Sequence, residues 1–198
     1  IDENQKNTNA GNGLLSCDIY GMGTTGIRLG GGNRKTIEPG ENFAINNHIY
    51  KCGRRIQTYT PAIKLSGVGN RVSNNLIHHM PHFAVMFSGN EHIIELNEIH
   101  RVALKFSDAG AIYTAANPFN RGTVIQHNFI HHMGLEREKV NGIYIDYVNC
   151  GTIVHGNVFY KLVAKDNFGA VMINGGNDNI ITNNIFILHT YFLNLTCK

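Results

Sequence analysis

Two carboxylates stand out in a chain of 198 residues that holds only 14 acidic ones. Asp108 precedes the run Gly110-Ala111-Ile112-Tyr113-Thr114, and Asp146 closes the run Gly142-Ile143-Tyr144-Ile145-Asp146. Hydrolysis of a glycosidic bond uses such a pair, one carboxyl as general acid and the other as nucleophile or base. Tyr113 and Tyr144 alternate outward between them and could floor a sugar subsite. Each Asp fits equally the role of a turn cap that accepts from backbone N–H groups.

A second set of side chains forms a column. Three residues beyond a recurrent Asn come Tyr20, Tyr50, His78, His100, His131, Tyr160 and Ile187, and Lys51, His79, Arg101, His132 and Lys161 follow directly. Stacked imidazoles and phenols suit a polar, planar-faced ligand such as a sugar ring. They suit plain ring stacking between layers as well. In-line imidazoles on a flat ribbon do not converge on a tetrahedron, and no cysteine or carboxylate stands at a fixed spacing to complete one. No metal site is expected.

The elements that must carry these residues follow from an internal repeat. Asn-x-(Ile/Phe) recurs at Asn47, Asn75, Asn97, Asn128, Asn157 and Asn184, with a degenerate copy at Cys17-Asp18-Ile19. The intervals are 30, 28, 22, 31, 29 and 27 residues. Each copy is followed by a run that starts on a small residue and alternates apolar with variable positions, as in Ala62-Ile63-Lys64-Leu65 and Ala84-Val85-Met86-Phe87. A further short strand, such as Phe43-Ala44-Ile45, leads into the Asn. Three period-two strands per repeat with no helical pattern between them describe one turn of a parallel β-solenoid. The column Ile27, Ile63, Val85, Ile112, Ile143 and Val171 is expected to fill its bore. The recurrent Asn is expected at a bend of unusual backbone angles, its amide bonded to the Asn one coil above and below. The longest insertions, 100–110, 115–123 and 133–141, neighbour one another along the rod and read as loops on one side.

Composition agrees. The chain has 26 Asn, 23 Ile and 22 Gly against 11 Ala and 12 Leu, which excludes a helical bundle. Lys and Arg are scattered and the net charge is +3, so nothing points to nucleic acid, and no apolar stretch is long enough for a membrane span. Residues 1–198 read as a single domain, frayed over 1–12. A polar start without Met reads as an excised piece of a longer chain. Four cysteines without metal-type spacing read as buried thiols, redox state open.

Residues 62–188 resemble the right-handed parallel β-helix proteins of the pectate-lyase-like superfamily, and within it carbohydrate-active enzymes of the glycoside hydrolase family 141 type. The motifs that carry this are Asn97-Glu98-Ile99-His100, Asp108-Ala109-Gly110-Ala111-Ile112-Tyr113-Thr114, Asn128-Phe129-Ile130-His131 and Gly142-Ile143-Tyr144-Ile145-Asp146. The resemblance implies an all-β, right-handed parallel β-helix of about seven coils with three short strands each. It also implies a secreted, periplasmic or cell-surface glycoside hydrolase of oligo- or polysaccharide, with Asp108 and Asp146 catalytic and no cofactor. His78, His100, His131, Tyr113, Tyr144 and Arg121 are the expected substrate contacts, in one groove with both carboxylates. Two other readings stay open. A polysaccharide lyase would need calcium and a basic residue, for which Arg101 and Arg121 are the nearest candidates. A non-catalytic carbohydrate-binding or adhesin-like rod would need neither.

Overall fold

A computed structural model describes residues 10–134, 139–163, 168–188 and 193–196. Its strands stack into three parallel sheets of seven strands each. The first sheet runs from Gly13–Leu15 to Ile180–Thr182, and the second from Asp18–Tyr20 to Ile185–Ile187. The third runs from Ile27–Leu29 to Leu193–Thr196. Most strands are three residues long because a coil must turn at three corners; Ala109–Ala115 and Val140–Asp146 reach seven. No helix occurs among the described residues.

The bore is filled as the alternation requires. Ile27, Ile63, Val85, Ile112, Ile143 and Val171 are each paired with the next in register. All six are buried, beside Ile49, Ile77, Ile99 and Ile130 from the second sheet. Burying each such side chain contributes roughly 1.5–3 kcal/mol.

The Asn repeat closes the corner between the first and second sheets. Oδ1 of Asn75 accepts from both the backbone N–H and Nδ2 of Asn47, at 2.9 Å each. Asn97, Asn128, Asn157 and Asn184 treat the preceding Asn alike, and Asn47 accepts from the Cys17 N–H. Buried turn backbone is thereby satisfied without water. The left-handed residue is the one before the ladder position, however, and not the ladder Asn: Ser16, Asn46, Asn74, Leu96, His127, Gly156 and Asn183 have positive φ. The ladder Asn is fixed by its amide bonds, while its predecessor makes the turn.

A second ladder, unread in the sequence, joins the third sheet to the first. Oδ1 of Asn42 accepts from Asn12 N–H and Oδ1 of Asn70 from Asn42 N–H; Nδ1 of His92 then takes the Asn70 N–H at 3.2 Å.

The long insertions do not share one side. Residues 101–108 lie at the corner between the second and third sheets, whereas 116–123 joins the third sheet to the first. Residues 135–138 of the third insertion, and 1–9 of the expected frayed end, fall outside the described residues. Cys52 and Cys150 are buried free thiols as expected; Cys17 is exposed, and Cys197 lies outside the described residues.

Candidate functional site

Tyr113 and Tyr144 are register neighbours in the third sheet, and Ala115 pairs with Asp146. The outward column to which they belong begins with the exposed Arg28 and the half-buried Lys64 and Met86. The tyrosines are nonetheless only 5% and 4% exposed. The cover of Tyr113 comes from the corner loops of two earlier coils. The Tyr113 ring stacks on Phe83 at 4.4 Å and 2° between planes, Phe83 stacks on His82 at 3.6 Å, and Tyr59 N–H donates to His82 Nδ1 at 3.0 Å. So little of either tyrosine faces solvent that both serve Asp146 more directly than they could floor a sugar.

The Asp146 carboxylate is half-buried and takes two donors, the Tyr113 hydroxyl to Oδ2 at 3.0 Å and Asn174 Nδ2 to Oδ1 at 2.9 Å. Burial first, and then the Asp146 charge, holds the Tyr113 phenol well above its ordinary range. The same two causes act on Tyr144, and Asp108 is the third. Tyr144 is therefore the group that senses both carboxylates.

Asp108 stands exposed, one residue before Ala109–Ala115, with φ at 55° and its N–H donating to the Lys139 carbonyl at 2.8 Å. A straight strand would carry it far from Asp146, which ends the neighbouring strand. The strand is not straight. Register passes from Gly110–Asn141 to Ile112–Ile143 and skips Ala111. Gly110 lies so close to Tyr144 that a Cβ there would stand 2.8 Å from the Tyr144 Cβ. This bend folds Gly110, two residues after Asp108, against Tyr144.

The imidazole column lies elsewhere. Tyr20, Tyr50, His78, His100 and His131 are paired rung by rung in the second sheet, with consecutive ring centroids 5.1, 5.1, 5.0 and 4.8 Å apart and planes within 19°. The expectation of one groove shared by the carboxylates and these rings is corrected by this division between two sheets. Within the stack, burial, followed by neighbouring imidazoles and cations, lowers His78 and His100 to about 4. Their mutual repulsion as cations is avoided in the neutral form. Tyr160 is in register with His131, but its ring meets His132 edge-on at 5.5 Å. Arg121 is in the loop between the third and first sheets, where its guanidinium bonds the Asp178 carboxylate at 2.5 Å.

Several participants went unread in the sequence. Asn174 occupies the strand-end position that Asp146 holds one coil earlier, a signal present in the alignment of coils. Phe83, His82 and Tyr59 gave no signal, since their contacts form between loops. Glu98 faces outward two residues before His100, and Oε1 lies 3.3 Å from His131 Nε2. The spacing Glu-x-His on a strand was the missed sign, because it puts both side chains on one face.

A family model described as the right-handed beta helix region matches residues 5–196. No curated protein matches the chain. Among solved structures, a glycoside hydrolase superposes with a TM-score of 0.59 at 15% identity, over 87% of this chain and 32% of that one. The Streptococcus pneumoniae surface protein and adhesin PfbA superposes with a TM-score of 0.52 at 16% identity, over 79% of this chain and 49% of that one. The chain thus spans about a third and a half of these two proteins, and identities this low carry the fold alone. Its three stacked parallel sheets and the match along nearly its whole length show that the chain belongs to the right-handed β-helix family.

Proposed function

We propose that the chain is the carbohydrate-cleaving β-helix of a glycoside hydrolase acting outside the cytoplasm, with Asp146 and Asp108 as its carboxylate pair. One observation carries the reading: the half-buried Asp146 carboxylate is held by the Tyr113 hydroxyl and the Asn174 amide. Two donors suit the acceptor-only, ionised carboxylate that a nucleophile or general base must be. Asp108, exposed one residue before Ala109–Ala115, takes the part of the acid. The glycoside hydrolase among the structural neighbours supports the class.

A second reading, a non-catalytic rod that binds carbohydrate at a cell surface, is favoured by the ring column of the second sheet and by the adhesin among the neighbours. Beside that column a groove of about 210 Å³ is lined by Lys51, Arg54, Gln57, His79 and Lys105, donors suited to an acidic sugar.

Incubation with a panel of plant and microbial polysaccharides separates the readings. Hydrolysis releases new reducing ends without a new carbon–carbon double bond, and Asp146→Asn abolishes the release while the fold is kept. Products carrying that double bond mean a lyase. Binding without products means the rod.

A further inference from the structure

The second sheet carries a cluster to which neither reading gives a metal. Glu98 and His100 flank the buried Ile99 and so project from the same face of one strand. His100 pairs in register with His131 on the next coil, and Phe129 pairs with Glu98. One ligand-type atom from each of Glu98, His100 and His131 lies within 4.8 Å of the other two. Glu98 Oε1 and His131 Nε2 are already 3.3 Å apart.

We infer that Glu98, His100 and His131 bind a divalent transition metal ion of the zinc class. Metal–ligand distances of about 2.0–2.2 Å around a tetrahedron put ligand atoms about 3.3–3.5 Å apart, which is the Glu98–His131 separation found here. His131 is oriented from behind, since its Nδ1 lies 2.7 Å from His132 Nδ1. With Nδ1–H donated to His132, the Nε2 lone pair faces Glu98, as in metal sites whose second ring nitrogen is fixed by a neighbour. His100 needs one adjustment. Its ring is stacked on His131 at 4.8 Å and 19°, so it must tilt about the Cβ–Cγ bond to bring a nitrogen to the shared point. That torsion is broad and His100 is only half-buried, so the tilt is available. The Arg101 guanidinium, 3.4 Å from His100 Nδ1, is exposed and can swing aside. Two imidazoles and one carboxylate leave a fourth position on the solvent side, the donor set of zinc sites that keep an exchangeable ligand.

The test is calorimetric titration of the tag-free chain with Zn²⁺, with Co²⁺ absorption reporting coordination geometry. One ion per chain with a tetrahedral Co²⁺ spectrum is expected. Glu98→Gln, an isosteric change at an exposed position, and His100→Ala should each weaken binding at least tenfold, with thermal midpoints unchanged. His155→Ala, on the first sheet, should leave binding as it was. Absence of binding overturns the site. So does binding that Glu98→Gln and His100→Ala leave intact, because the ion would then sit on other imidazoles and the Glu98–His131 contact would be a plain ion pair.

Discussion

The Tyr113 hydroxyl reaches across one coil to donate to Oδ2 of Asp146 at 3.0 Å, while the face of its ring rests on Phe83. The ring and the hydroxyl can be separated by Tyr113→Phe, which keeps the stack and deletes the donor. A hydrogen bond to a charged group is worth about 1.5–3 kcal/mol, so kcat/KM for reducing-end release should fall about 10- to 100-fold. The thermal midpoint should fall as well, by on the order of 5 °C. Unchanged kinetics would mean that Asp146 does not depend on this donor.

The Asn ladder predicts a gradient of stability along the rod. Asn128 is buried in the middle; its amide accepts twice from Asn97 and donates to Ile94, Gln126 and Asn157. Asn128→Ala strands several buried partners and should cost about 3 kcal/mol or more, read as a lower urea midpoint. Asn184 is the outermost rung, half-buried, and its Nδ2 donates only to the Val154 and Thr182 carbonyls. Asn184→Ala should cost less than half as much. Equal losses would show that the ladder is not read rung by rung.

What the sequence made legible depends on period. The spacings between ladder Asn residues are the same 28, 22, 31, 29 and 27 residues that separate the hydrogen-bonded pairs. Bore and ring columns repeat with the coil, so both could be placed before any coordinates. The left-handed turn residue could not, because seven positions share a backbone conformation but not a residue type. The candidate site was legible only in its acids. The cover over Tyr113 is built from Tyr59, His82 and Phe83, which come from the corner loops of two successive coils and follow no column of the repeat. Which sheet each outward column faces was equally hidden, since alternation distinguishes in from out and not one outer face from another.

Buried histidines set an acid limit on stability, His82 and His92 adding to the His78 and His100 of the ring column. Burial pushes His82 down to about 4, and burial is also the largest cause of the lowered value of His92. Both are thus neutral when folded and take up protons on unfolding at an ordinary value near 6.5. Their contribution is complete above about pH 6.5 and is lost as pH falls from there toward 4, because the unfolded chain then binds more protons. The thermal midpoint should drop by on the order of 5 °C between pH 7 and pH 5. His82→Gln should make the profile shallower, since an uncharged side chain retains an acceptor for the Tyr59 N–H and titrates nowhere in this range. A profile as steep as that of the parent would assign the acid sensitivity to other groups.

The bend at Gly110 is where fold and proposed chemistry can be uncoupled. A methyl group there would stand 2.8 Å from the Tyr144 Cβ and 3.1 Å from the Ile112 carbonyl oxygen, so Gly110→Ala must push the Tyr144 strand away or straighten the bend. Overpacking of this kind costs about 1–3 kcal/mol. Its distinct consequence lies in the site: Asp108 and Tyr144 separate, while the Tyr113 and Asn174 donors to Asp146 lie beyond the bend and stay in place. Ile143→Val is the matched control. It thins the bore next to Tyr144 for about 0.5–1.5 kcal/mol without touching the outer face. Per folded molecule, measured well below both melting transitions, Gly110→Ala should lose at least tenfold in reducing-end release and Ile143→Val less than twofold. Equal activity in the two variants would show that the approach of Asp108 to Tyr144 plays no part, leaving Asp146 to act with some other acid.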